Sequence, residues 1–257
     1  MSEELNIVKV IPCLDMKDGR VVKGINFVDF ADAGDPAEQA EYYSNAGADE
    51  VAFLDIAASV ENRQTMEDVV RRTAARSRVP FCVGGGIRSL ADIERIIKAG
   101  ASKVSINTAA VKNPELIDEA VEKFGKTAII IAIDAKLDPD GSYKVYINGG
   151  LERTDIDAGE WAAEVAKRGA GCILVTSVDA DGTKDGYDID LTRLVAEKSG
   201  VEVIASGGAG KLEDFVKAVK EGKATAVLAA SLFHFRQLEI AEVKKHLNAN
   251  GIPVSAV

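Results

Sequence analysis

The chain has 257 residues, 47% hydrophobic but only 5% aromatic, so aliphatic side chains must fill a large core. A formal charge of −10 argues against nucleic-acid binding, which needs a basic face to neutralise phosphates. It leaves room for a phosphorylated small molecule, because backbone N–H groups hold phosphate whatever the net charge.

Met1–Asn6 is acidic and polar, unlike a signal peptide. The first apolar run, Val8–Leu14, has strand length and ends at Asp15. The connection from Lys17 to Gly34 is long, and such connections are usually functional, often lids. Its segment Lys17–Gly24 reads as a turn followed by an alternating stretch, hence a small hairpin. Lys23 within it either reaches an anionic ligand or is simply solvated. Asp35-Pro36-Ala37-Glu38 then supplies an N-cap, a proline at the first helical position and an acid in the first turn.

Strand-like runs follow at Val51–Leu54 and Pro80–Val83, the second entering Gly84-Gly85-Gly86. Ser89 with Asp92 opens a helix whose Leu90, Ile93, Ile96 and Ile97 share a face, and Gly100 ends it. Lys103–Ile106 is the next strand, followed by Asn107-Thr108, and Asn113-Pro114-Glu115 caps another helix in the manner of Asp35-Pro36. Ala128–Ile133 ends at Asp134, and Ile173–Thr176 precedes Asp181-Gly182-Thr183. Val201–Ala205 enters Ser206-Gly207-Gly208, with a helix starting near Lys211. Ala226–Ala229 precedes Ala230-Ser231. Eight such strands alternating with helices predict an α/β fold with an all-parallel sheet.

The chain also resembles itself. A shift of about 122 positions lays Gly47-Ala48 on Gly169-Ala170, Gly85-Gly86 on Gly207-Gly208, Leu90 on Leu212, Asp92 on Asp214 and Gly100 on Gly222. With a small gap, Asp15 falls on Asp134. A half-length repeat implies two similar four-strand halves closing into a (β/α)8 TIM barrel. With no linker-like stretch between them, the expectation is one domain over 1–257.

In such a barrel, function gathers where strands end. Asp15 and Asp134 end strands one and five, which face each other, so both acids can enter one mouth and divide acid and base roles. The plainer alternative is that each caps its own loop. The glycine turns at Gly86 and Gly208, each followed one strand later by small polar residues (Asn107-Thr108, Ala230-Ser231), suggest two anion cradles and a ligand with a phosphate at each end. Ordinary tight turns are the competing account. Asp181-Gly182 either completes the second cradle or orients a sugar hydroxyl. At the other end of the barrel, Lys9, Glu50 and Lys103 lie near strand starts, where they form either a structural ion cluster or a functional gate. Cys13, Cys82 and Cys172 have no metal-type spacing and suggest a reducing cytosol. No apolar run approaches the ~18 residues of a membrane span, so a soluble, cytoplasmic protein is expected.

These motifs resemble the cyclase-subunit family of imidazole glycerol phosphate synthase over almost the whole chain. The most specific stretches are CLDMKDGRVVKG (Cys13–Gly24), VGGGI (Val83–Ile87), KVSINTAAV (Lys103–Val111), AIDAK (Ala132–Lys136), DGTKDGY (Asp181–Tyr187), IASGGAG (Ile204–Gly210) and SLFHFR (Ser231–Arg236). The resemblance implies an ammonia-dependent cyclisation in histidine biosynthesis, with Asp15 and Asp134 as the catalytic pair and Lys23 as a lid lysine. It implies a bisphosphorylated substrate held by Gly86, Asn107 and Thr108 at one end and Asp181, Gly182, Gly208, Ala230 and Ser231 at the other. It also implies no cofactor or metal, and a glutaminase partner docked at the N-terminal face of the barrel. Ammonia would pass a ring of four residues that matches Lys9, Glu50, Lys103 and Cys172. Here the chain departs from the pattern: Cys172 stands where Glu is usual, Ser102 where Asp is usual, and Ala180 where a basic residue is common. The sister isomerase of the same pathway shares the half-barrel repeat and both acids. A non-catalytic scaffold that activates a glutaminase is a further alternative.

Overall fold

The computed structural model describes residues 7–25, 28–55 and 67–256, with the backbone alone over 23–25 and 28–33. Met1–Asn6 therefore lies outside the described residues. Within them, twelve strands form one sheet. They are β1 (Lys9–Lys17), β2 (Arg20–Ile25), β3 (Val28–Gly34), β4 (Val51–Asp55), β5 (Phe81–Gly84) and β6 (Lys103–Ile106). The second half continues with β7 (Ile129–Leu137), β8 (Tyr143–Ile147), β9 (Glu152–Asp157), β10 (Cys172–Ser177), β11 (Glu202–Ser206) and β12 (Ala226–Ala229). Eight of these pair in parallel around a closed ring, β1-β4-β5-β6-β7-β10-β11-β12 and back to β1. With helices on the crossovers, this is the expected (β/α)8 barrel.

The first strand of each half carries an antiparallel hairpin. Asp18 and Gly19 take φ of 51° and 74°, the double positive-φ turn that matches strand twist, and pair Met16 with Val21 and Lys17 with Arg20. The matching hairpin β8–β9 on β7 was not anticipated. Its signal was present in Asn148-Gly149-Gly150, which take φ of 54°, 70° and 78° between β8 and β9.

Alternation along the barrel strands separates two cores. Val10, Leu14, Phe53, Val83, Val104, Ile131 and Ile173 point outward into the layer under the helices. Ile11, Cys13, Ala52, Cys82, Ile130, Cys172, Leu174, Ile204, Ala226 and Leu228 fill the interior. The helix Leu90–Lys98 turns Ile93 and Ile96 onto the outer layer with no exposed surface, each worth about 1.5–3 kcal/mol of burial. Asp35 caps the helix Pro36–Asn45 through the N–H groups of Ala37 and Glu38, as expected. Asn113 does not cap the helix Glu115–Phe124 with its side chain. Its N–H already closes the preceding helix on Ala109, and only its carbonyl receives the Leu116 N–H.

The internal repeat is physical. A Cβ on Gly85 would lie 2.2 Å from the Asp55 carbonyl oxygen, and one on Gly207 would lie 3.0 Å from the Ser177 oxygen, its counterpart in the second half. Asp92 accepts the Arg88 N–H at 3.2 Å, and its mate Asp214 accepts the Gly210 N–H at 2.9 Å.

Candidate active site

Alternation beyond the interior core brings Asp15 and Asp134 inward: Cys13 and Ala132 line the interior, while Leu14 and Ile133 pack outward. Both acids sit at the C-terminal ends of their strands, keeping part of their surface open to the mouth. Burial pushes the carboxyl of Asp15 up to about 7, and the negative charge of Asp181 pushes in the same direction. Asp134 also rises to about 7, by burial first and Asp181 second, against a lowering hydrogen bond from Asn107. Asp181 is itself raised by burial, partly offset by the Gly182 N–H. Because Asp181 acts on both, the three carboxylates share one mouth. Two acids titrating near neutrality can each hold or accept a proton there.

The residues expected to form the cradles follow the C-terminal ends of β5, β6, β10, β11 and β12. On the first side Gly85 and Gly86 take φ of 91° and 69°, conformations that suit glycine. Asn107 does something the sequence did not indicate: its Nδ2 donates to Asp134 Oδ2 at 2.8 Å. Its Oδ1 is buried without a hydrogen-bond partner. The Thr108 hydroxyl accepts the Asn148 N–H at 2.9 Å, tying this cradle to the end of β8. On the second side Gly182 and Gly208 take φ of 77° and 98°, and a Cβ on Gly208 would lie 2.1 Å from the Gly186 oxygen. Ala230 and Ser231 open the one-turn helix Ser231–His234 directly after β12. Lys23 lies on β2 opposite Ala31, and its side chain is outside the described residues.

At the opposite end of the barrel, Glu50 is 5% exposed and takes both lysines. Lys9 Nζ lies 2.8 Å from Glu50 Oε1, and Lys103 Nζ lies 2.6 and 2.7 Å from its two oxygens. Burial lowers the Lys9 pKa, but the hydrogen bond and charge of Glu50 outweigh it and leave it raised. Cys172 occupies the position in the second half that matches Glu50 in the first. Its thiol is buried and pushed up to about 12, by burial first and the charge of Glu202 next. Glu202, 3.8 Å from Lys9, was missed in the sequence. Alternation with Ile204 was the available signal, since Ile204 faces the interior.

Fold and geometry together define a (β/α)8 barrel with a carboxylate-lined C-terminal mouth and a charged floor. The family model described as "Histidine biosynthesis protein" matches residues 9–239. The chain belongs to this family of histidine-biosynthesis barrel enzymes, whose activities are of the isomerase and cyclase type. No helix among the described residues is long and apolar enough to cross a membrane.

Proposed function

We propose that the protein is the cyclase of this family, using ammonia to convert a phosphoribulosyl-formimino aminoimidazole carboxamide ribotide into imidazole glycerol phosphate and aminoimidazole carboxamide ribotide. The observation that carries the acid–base reading is the pair Asp15 and Asp134, raised to about 7 in a mouth flanked by glycine turns from both halves. Ammonia adds to the ribulosyl carbonyl, and one acid protonates the departing oxygen as water leaves. The aminoimidazole is then expelled as the ring closes, with the two carboxyls exchanging protons with nitrogen and carbon. The cradles at Gly86, Asn107 and Thr108 and at Asp181, Gly182, Gly208, Ala230 and Ser231 hold the two phosphate ends, and Lys23 closes over them from the hairpin.

Support for the cyclase over the sister isomerase comes from the stretch Ala132–Lys136 and the hairpin bearing Lys23. The ionic cluster on the floor supports an ammonia entry facing a glutaminase partner. In this reading Lys9, Glu50, Lys103 and Cys172 form the gate. Cys172 removes one of its charges, and cyclisation with free ammonium is expected even where coupling to the partner is weak. The test is to supply the phosphoribulosyl substrate with ammonium, then with glutamine and a glutaminase, and separately to supply the ribosyl isomer alone. Product with ammonium supports the cyclase. Turnover of the ribosyl isomer without ammonia would replace it with the isomerase, and tight binding without product would leave a scaffold.

A further inference from the structure

The pairing of β1 changes sides halfway along. Its lower half lies on β12, in a register that stops at Pro12 opposite Ala229. Its upper half lies on β4, from Cys13 opposite Ala52 to Met16 opposite Asp55. On the edge that β12 vacates, pairing resumes only at Met16, where β2 joins. Among the described residues, no strand covers that edge over Cys13–Asp15, the stretch that aims Asp15 into the mouth. An uncovered strand edge beside a catalytic carboxyl is a source of positional freedom, since its backbone groups need partners.

A side chain closes part of this gap. His234, from the turn right after β12, places Nε2 2.6 Å from the Cys13 carbonyl oxygen. Its Nδ1 lies 2.8 Å from the hydroxyl of Tyr43, on the helix Pro36–Asn45. A carbonyl can only accept, so Nε2 carries a proton; in the neutral ring Nδ1 then presents its lone pair and the Tyr43 hydroxyl donates. Tyr43 is 3% exposed, so the helix braces the ring from behind, and the two rings meet edge to face at 5.8 Å.

We propose that His234 is a positioning residue for Asp15, standing in for the missing strand at Cys13, with Tyr43 setting its tautomer. The inference rests on the acid–base role assigned to Asp15. His234 touches no reacting atom; it acts through the backbone of β1. The same one-turn helix begins at Ser231 of the second cradle, so one short segment both flanks the substrate site and braces the strand that bears the acid.

The test compares His234→Ala, His234→Gln and Tyr43→Phe in ammonia-dependent turnover, with melting temperatures recorded for each. A misplaced reacting group costs up to about a hundredfold, so His234→Ala should lower kcat by about ten- to a hundredfold. KM should change by less than about threefold, since substrate binding is not the function lost. Gln retains an N–H at the position of Nε2 and should recover most of kcat, while Tyr43→Phe should fall between. Unchanged kcat in His234→Ala, a rise in KM alone, or Gln no better than Ala would overturn the proposal. A second readout is independent of activity. The ¹⁵N spectrum of the folded protein near neutral pH should show His234 as the Nε2–H tautomer, and Tyr43→Phe should admit the other. An Nδ1–H tautomer in the unaltered protein would refute the strut even if turnover were absent. Absent turnover with the expected tautomer would refute the assigned reaction instead.

Discussion

Replacing Asp15 by Asn should make the protein more stable while abolishing its activity. The carboxyl is raised from 3.8 to about 7 by burial and by the charge of Asp181. In the unfolded chain it titrates near its ordinary value, so between about pH 4 and pH 7 the folded state binds the extra proton and stability falls as pH rises. Above about pH 7 the whole penalty is present, with a ceiling near 4 kcal/mol from the difference between the two values. Part of the carboxyl opens to water, which reduces the expected gain for Asn to about 2 kcal/mol at about pH 8.5. Around pH 4 the native carboxyl is neutral in the fold and half-neutral outside it, so the gain should nearly vanish. Urea or thermal unfolding of both proteins across this range measures it. A gain independent of pH, or no gain at about pH 8.5, would refute the buried, Asp181-facing environment assigned to this acid. Product formation that survived the substitution would refute its catalytic role.

Four further outcomes follow. Turnover should follow a bell-shaped pH profile centred near 7, since the Asp15–Asp134 pair must hold one proton. Asp181→Asn removes a negative charge that raises both acids, so the alkaline limb of kcat should move to lower pH. Gly208→Ala should cost several times more stability than Gly182→Ala. Both carry positive φ, but a Cβ meets the Gly186 oxygen at 2.1 Å in the first and nothing within 4 Å in the second, where about 1 kcal/mol is expected from backbone strain alone; equal melting temperatures would contradict this. Finally, Lys244 is 2% exposed and donates to Asp49 at 2.9 Å and to Ser255 at 2.7 Å, while Asp49 also accepts the Val10 N–H at 2.8 Å. Asp49→Ala strands that ammonium and should destabilise by about 3–5 kcal/mol, read by denaturant unfolding.

The barrel and its duplication were legible because periodicity and glycine placement are local. Apolar runs of strand length mark buried parallel strands, and a glycine such as Gly85 is demanded wherever backbone must pass against backbone. Alternation also sufficed to send Asp15, Asp134, Lys9 and Lys103 inward, because successive side chains on a strand face opposite ways. The hairpin β8–β9 was within reach of the same reading, through Asn148-Gly149-Gly150, but its strands lack the continuous apolar run that marks the barrel interior.

Other features depend on which strand stops where. Asn107 reads as an anion ligand from its neighbours, yet its amide reaches Asp134 because β6 and β7 are adjacent and both end at the mouth. Asp181 reads as a turn residue, but closure of the ring sets it beside both acids and raises them. Glu202 joins Lys9 across β11, β12 and β1, and His234 reaches Cys13 across 221 positions because the pairing of β12 with β1 stops at Pro12, short of the stretch that carries Asp15. Element type, repeat and facing were therefore written in the sequence, since each is set by neighbours along the chain. Protonation states and the bracing of the acids were decided only by the closed barrel, because desolvation and charge act through space between residues the chain order keeps apart.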